Sequence, residues 1–186
     1  GWEAGVLEAI SADEPLLRIL ERIALGVEEF IPRAWASVLL LDSDGIHLRR
    51  GVAPHLPAAL MQAIDGQPIG ASAGSCGAAA QQLELVGVAD SESGPLWDNY
   101  RALAIAFGLR ACWSQPVLDA RGQVSATIAL YFREPRTLDA AEIGVLGRLA
   151  HLVGLAIECD RQGAELRMSE ERFRSTFLDA AIGMAV

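Results

Sequence analysis

Ala111-Cys-Trp-Ser-Gln-Pro-Val-Leu118, Asp119-Ala-Arg-Gly122 and Gln123-Val-Ser-Ala-Thr-Ile-Ala-Leu-Tyr-Phe132 are the three consecutive pieces that decide the fold. Two runs of strand length, rich in aromatic, β-branched and small apolar residues, flank a polar turn that ends in glycine. That is the pattern of a β-hairpin. Alternation in the first strand places Arg110, Cys112 and Ser114 on one face and Ala111, Trp113 and Gln115 on the other. Pro116 has no backbone N–H to give to a ladder, so it sits near an edge or a bulge.

A second hairpin lies upstream. Residues 35–42 form an apolar run, Ser43-Asp-Gly45 turns the chain, and residues 46–52 return. Before it, Leu16, Ile19, Leu20, Ile23, Val27, Phe30 and Ile31 recur at helical spacing over 15–31, with Pro15 suited to a first turn. Between the hairpins the spacing predicts a short helix over 56–64 and a glycine-rich loop over 65–77. A helical turn or two over 75–82, a short strand over 85–89 and a helix over 96–107 follow. Gly108 ends that last helix. From Leu138 the pattern is one long helix, with Ile143, Leu146, Leu149 or Ala150, Val153 and Ile157 as its apolar stripe and a polar continuation beyond Cys159. Gly163 is its weak point. Residues 1–14 read as an acidic extension in which Gly5 interrupts any helix. The order gives an α+β fold: a central antiparallel sheet of about five strands with helices on both faces and a long C-terminal helix.

Composition bounds the function. The 186 residues carry 15 basic and 24 acidic side chains, so 15 − 24 = −9, which argues against a nucleic-acid or anionic-membrane partner. Every basic residue except histidine is arginine, so lysine chemistry is excluded. Hydrophobic residues make up 52% and charged residues 21%, which excludes disorder for most of the chain. No uninterrupted apolar stretch approaches about 18 residues, and no signal-peptide pattern opens the sequence. Cys76, Cys112 and Cys159 form no CxxC pair, and His47, His55 and His151 lack HxxxH and HExxH spacing. A locally built zinc site and a disulfide framework are therefore not expected, and a reduced, cytoplasmic protein is. The glycines of 65–77 fit neither phosphate-loop pattern.

The string Gly74-Ser-Cys-Gly-Ala-Ala-Ala80, then Asp90, Trp97-Asp-Asn-Tyr-Arg101, Gly108-Leu-Arg-Ala-Cys-Trp-Ser-Gln-Pro116 and the strand up to Phe132 resembles a subgroup of GAF domains. These occur in bacterial multidomain signalling proteins together with PAS, GGDEF and EAL modules. The resemblance covers roughly residues 15–161. The tail, Leu166-Arg-Met-Ser-Glu-Glu-Arg-Phe-Arg-Ser-Thr-Phe177 followed by Ala181-Ile-Gly-Met184, looks like the start of a PAS domain. The division is therefore 1–14 extension, 15–161 GAF domain, and 162–186 linker and PAS start.

The resemblance implies a sensory, small-molecule-binding module without catalysis of its own, acting on a downstream cyclic-di-GMP enzyme or histidine kinase. It places the ligand over the sheet, with Ser75, Cys76, Trp97, Tyr100, Arg110, Cys112 and Ser114 as candidate contacts and with no catalytic or metal-ligating residue. Gly70, Gly74 and Gly77 would allow close backbone approach. The ligand and any cofactor stay unnamed. Trp97 and Tyr100, three apart on a helix, could instead be plain core. Asp90 reads better as a helix cap than as a ligand contact. His55, between prolines, is a possible haem or metal contact, though a loop histidine is usually solvated.

Cys76 opens a helical segment, where a thiol pKa falls. Its relation to Cys112 across the pocket has three readings: a redox pair, a shared soft-metal or haem site, or two unrelated core residues. A reductase acting on free methionine sulfoxide, using Cys76, is an alternative, but residues 83–109 hold none of the further cysteines such enzymes carry. Bilin attachment would need a Cys-His pair, which is absent. A ligand-free dimerisation module is the third reading. Residues 15–31 and 138–173 are expected to pair with a second copy as a parallel homodimer.

Overall fold

The computed structural model describes residues 1–183. The last three residues of the expected PAS start, Met184 to Val186, lie outside the described residues. Six antiparallel strands, β1 (Trp35–Leu41), β2 (His47–Val52), β3 (Gln67–Pro68), β4 (Val86–Val88), β5 (Ala111–Leu118) and β6 (Val124–Phe132), are ordered β3-β2-β1-β6-β5-β4. On one face lie α1 (Trp2–Ser11), α2 (Leu16–Phe30) and α6 (Ala140–Gly183). On the other lie α3 (Ala58–Ile64), α4 (Gly74–Gln82) and α5 (Arg101–Phe107).

The β5–β6 hairpin is the centre of the sheet, as the opening stretch predicts. Asp119 Oδ1 accepts from the backbone N–H groups of Arg121 (2.8 Å) and Gln123 (2.9 Å), which fixes the turn. β4 pairs only with Cys112–Ser114, so β5 is an edge at Pro116, and the register shifts between Val117 and Leu118. That is the place the ladder tolerates a proline.

Alternation then divides the sheet. Ala36, Val38, Ile128, Leu130 and Phe132 face α2 and α6, where they meet Leu20, Ile23, Leu146, Leu149 and Val153. Leu39, Ala129, Tyr131 and Cys112 face α3, α4 and α5. The α6 helix starts on a reciprocal cap, the Glu142 N–H donating to Asp139 Oδ1 (2.8 Å) and the Asp139 N–H to Glu142 Oε2 (3.0 Å). By length and composition α6 would pass for a membrane span. In the structure the side chains of its apolar stripe, Leu146, Leu149 and Val153, are spent on the sheet.

Several expectations are corrected. Residues 2–11 are helical despite Gly5, because Val6 and Ala9 bury themselves on α2. Trp2 lies so flat on Gly26 that a Cβ there would stand 2.8 Å from its ring. This packing outweighs the roughly 1 kcal/mol that a mid-helix glycine costs. The sheet has six strands rather than five, the sixth being the two-residue β3. The helix expected over 96–107 is two pieces, a 3-10 turn at Pro95–Trp97 and then α5. Gly163 does not interrupt α6.

Candidate functional site

The strand alternation leaves an unusual set of side chains on the inner face of the sheet. Ser37 from β1, Cys112 and Ser114 from β5, and Thr127 and Tyr131 from β6 all turn toward α4. They form a floor of hydroxyls and thiols in an otherwise apolar layer. α4 lowers Ser75 and Cys76 onto this floor. Gly77 makes the approach possible, because a Cβ there would meet the Ala73 Cβ at 2.5 Å and the Pro68 carbonyl at 3.2 Å.

Above the floor is a cavity of about 50 Å3. Leu39 and Leu48 of the sheet, Leu60 and Ile64 of α3, and Leu103, Ala104 and Leu109 give it apolar walls. Trp97 and Tyr100 roof it edge to face, with ring centroids 6.5 Å apart. The Tyr100 hydroxyl donates to Gln67 Oε1 at the rim (3.2 Å). Among the described residues no acidic or basic side chain lines the cavity. It suits an uncharged molecule with an apolar body and one polar end, since a buried charge without a partner would cost several kcal/mol.

The polar floor is tightly wired. Trp97 Nε1 donates to Ser75 Oγ (2.9 Å), and Ser75 donates to the Cys112 carbonyl (3.4 Å). Ser114 Oγ donates to Cys76 Sγ (2.9 Å), and the Tyr131 hydroxyl stands 3.7 Å from the same sulfur. Ser37 donates to Tyr131 (3.3 Å). Thr127 Oγ1, fully buried, has no hydrogen-bond partner among the described residues.

These groups divide the two thiols' acidity. The neighbouring Cys112 thiol does most to lower Cys76, burial opposes it, and the Ser114 and Tyr131 hydroxyls add to the lowering; the value falls to about 6. Burial first, and then the hydrogen bond with Cys76 and the charge there, push Cys112 well above the ordinary thiol range. Burial and the two thiols raise Tyr131 likewise, so it remains a neutral donor. The pair thus has one easy ionisation, which belongs mainly to Cys76.

Of the seven residues singled out from the sequence, Ser75, Cys76, Trp97, Tyr100 and Cys112 line the cavity. Ser114 lies one layer beneath, against Cys76. Arg110 is not with them. It precedes β5 and turns outward to Asp90 (3.1 Å) and Glu92 (3.3 Å). Asp90 caps no helix: its Oδ1 accepts from the Glu92 N–H (3.1 Å) and from Arg110. His55 is remote from the thiols and pairs with Glu28 of α2. Among the described residues no cluster of metal-ligating side chains occurs. Cys76, Cys112 and Cys159 are all free thiols.

The sequence reading missed Thr127 and Tyr131. The signal was present: Cys112 pairs with Tyr131 and Pro116 with Thr127, so alternation from Cys112 and Ser114 carries across the hairpin to both.

A three-layer sandwich around one antiparallel sheet, with a small uncharged cavity under its shorter helices, defines a class of small α+β domains. Residues 13–158 match the family model described as GAF domain. The chain belongs to the GAF domain family. It is 32% identical over 172 residues to the methyl sulfide methyltransferase-associated sensor of Methanosarcina acetivorans. That match takes in 92% of this chain and 17% of the relative, so the chain spans about a sixth of that protein's length.

Two solved structures share the fold at low identity. One is a domain described as part of a two-component sensor histidine kinase protein from Sinorhizobium meliloti 1021 (TM-score 0.69, 19% identity, 83% of this chain and 99% of that one). The other is the free methionine-R-sulfoxide reductase of Neisseria meningitidis in complex with its substrate (TM-score 0.66, 21% identity, 87% and 91%).

Proposed function

We propose that this chain is the sensory module of a larger cytoplasmic signalling protein, receiving a small uncharged molecule between α4, α5 and the sheet. It has no catalysis of its own. The observation that carries this reading is the cavity: apolar walls, a floor of hydroxyls and thiols, and no acidic or basic side chain among the described residues that line it. The sensor named among its relatives supports it, as does the short span of that relative the chain covers.

The output route is α6. Arg167 still pairs with Asp13 (3.5 Å), and beyond it the side chains leave the domain; Leu166, Phe173 and Phe177 are 61%, 74% and 66% exposed. Leu152, Cys159, Leu166 and Phe173 recur every seven residues, the spacing of one seam of a two-stranded coiled coil. The intervening seam positions after Leu155 are Gln162, Ser169 and Thr176, which are polar. A parallel homodimer through α2 and α6 would bury the apolar seam yet hold it weakly. A small rotation or slip could then pass along it to a PAS domain and a cyclic-di-GMP enzyme or histidine kinase beyond. The reductase fold shared with this chain keeps a thiol enzyme as the second reading; turnover of free methionine sulfoxide would establish it, and none is expected.

Phenol serves as a probe with an apolar ring and one hydroxyl. Titrated into the chain, it should produce saturable amide shifts in α4, α5 and Tyr131 at millimolar concentration, in keeping with its few heavy atoms. Ala104→Leu, which fills the cavity from α5, should remove them while the chain stays folded. Shifts that are identical in both proteins, or confined to exposed residues, would contradict the proposed binding place.

A further inference from the structure

Cys76 and Cys112 reach the same cavity from opposite sides, one on α4 and one on β5, although 36 residues separate them. Around them are only neutral groups, and their donors converge on one sulfur. Ser114 donates to Cys76 Sγ at 2.9 Å, and the Tyr131 hydroxyl stands at 3.7 Å. Thr127 shares the inward face of β6 with Tyr131, is fully buried, and its Oγ1 has no partner among the described residues. A buried hydroxyl without a partner is costly and is retained where something else uses it. Nothing in the binding of an apolar ligand requires such a concentration of donors beneath a thiol.

We propose that Cys76 and Cys112 are a peroxide-oxidised thiol pair, Cys76 attacking the oxidant and Cys112 resolving the product. The proposal rests on the cavity's position and not on the identity of its ligand. Cys76 is half-buried, whereas Cys112 is fully buried, so an oxidant arriving through the cavity meets Cys76 first. The space of about 50 Å3 admits hydrogen peroxide or a small hydroperoxide, and with no basic side chain in its lining it offers no partner to an anionic oxidant.

In the first step the Cys76 thiolate attacks one peroxide oxygen, an S–O bond forms and the O–O bond breaks. The departing hydroxide or alkoxide takes up the proton that Cys76 released, giving water or an alcohol. Ser114 and Tyr131 offer hydrogen bonds to the charge as it passes from sulfur to oxygen, and Thr127 supplies a further hydroxyl there. In the second step the Cys112 sulfur attacks the sulfenyl sulfur. The S–S bond forms, the S–O bond breaks, and hydroxide leaves with the Cys112 proton as water. Two thiols and one peroxide give one disulfide and either two waters or one water and an alcohol. Closing the bond needs Cα atoms roughly 4.4–6.8 Å apart, which would fix α4 on β5 and change the cavity floor. The lowered Cys76 acidity accords with this order of events.

The test uses the whole chain, one equivalent of hydrogen peroxide, an alkylating quench and tryptic mapping. Cleavage after arginine separates the three thiols, Cys76 in peptide 51–101, Cys112 in 111–121 and Cys159 in 149–161. The wild type should yield 51–101 joined to 111–121, released by dithiothreitol, with Cys159 still alkylated. Cys112→Ser should leave a sulfenic acid at Cys76 that dimedone traps. Ser114→Ala should slow oxidation about tenfold, as loss of a hydrogen bond to a charged group does. The rate should fall as pH drops through about 6 and flatten above it. The wild-type map needs no substitution, so misfolding of a variant cannot obscure it. Cys76 and Cys112 both alkylated after peroxide, or Cys159 oxidised ahead of them, would overturn the proposal.

Discussion

Trp97→Ala is expected to lower stability by about 3–5 kcal/mol, the range for truncating a buried indole. The ring is only 7% exposed, it packs edge to face on Tyr100, and its N–H holds Ser75, which in turn holds the Cys112 carbonyl. Removing it opens the cavity roof and frees one end of α4 at once. A residue that served only as a ligand contact would, when truncated, weaken binding more than stability. The structure joins the two effects, because the roof of the cavity is also part of the core under α4 and α5. Trp97→Phe separates them: it keeps most of the packing and loses the hydrogen bond, for about 1 kcal/mol. Urea unfolding of both variants checks this. Equal losses would show that the indole N–H, and not the ring's bulk, holds the roof.

The second large effect concerns assembly. Phe173→Glu should convert the proposed dimer to a monomer and lower the melting temperature only to that of the wild type diluted below its dissociation range. Phe173 is 74% exposed on α6, well outside the packed domain, and in a parallel pair it would meet its own copy. Two carboxylates facing each other across that seam repel, whereas in one isolated chain the same side chain points to water. Sedimentation equilibrium of wild type and variant at tens of micromolar gives the answer. Equal masses for the two would exclude this seam, and a melting temperature below that of the diluted wild type would mean that Phe173 serves the fold instead.

The sheet and the two long helices were legible because each relies on many repeated positions. The β5–β6 hairpin has an Asp-to-Gly turn and alternation over both arms, and the α6 stripe recurs through Leu146, Leu149 and Val153. Elements that depend on one distant partner were not legible. The first helix forms because Trp2 finds Gly26, and β3 is two residues that only the β2 edge makes a strand. Arg110 shows the limit of alternation: just before the ladder begins, an ion pair with Asp90, twenty residues away, decides where it points. Part of the cavity could be read because glycines, thiols and aromatics stood out. Thr127 and Tyr131 were hidden in an apolar run whose inward residues become visible only once the strand register is counted.

Native mass spectrometry of freshly purified chain tests the central claim most directly, since it reports subunit number and retained ligand together. The account predicts a species of twice the 19.8 kDa chain mass. It should carry a small neutral adduct that unfolding releases and that Ala104→Leu lacks. A 19.8 kDa species without any adduct, at tens of micromolar, would contradict both the pairing through α6 and the receiving role of the cavity.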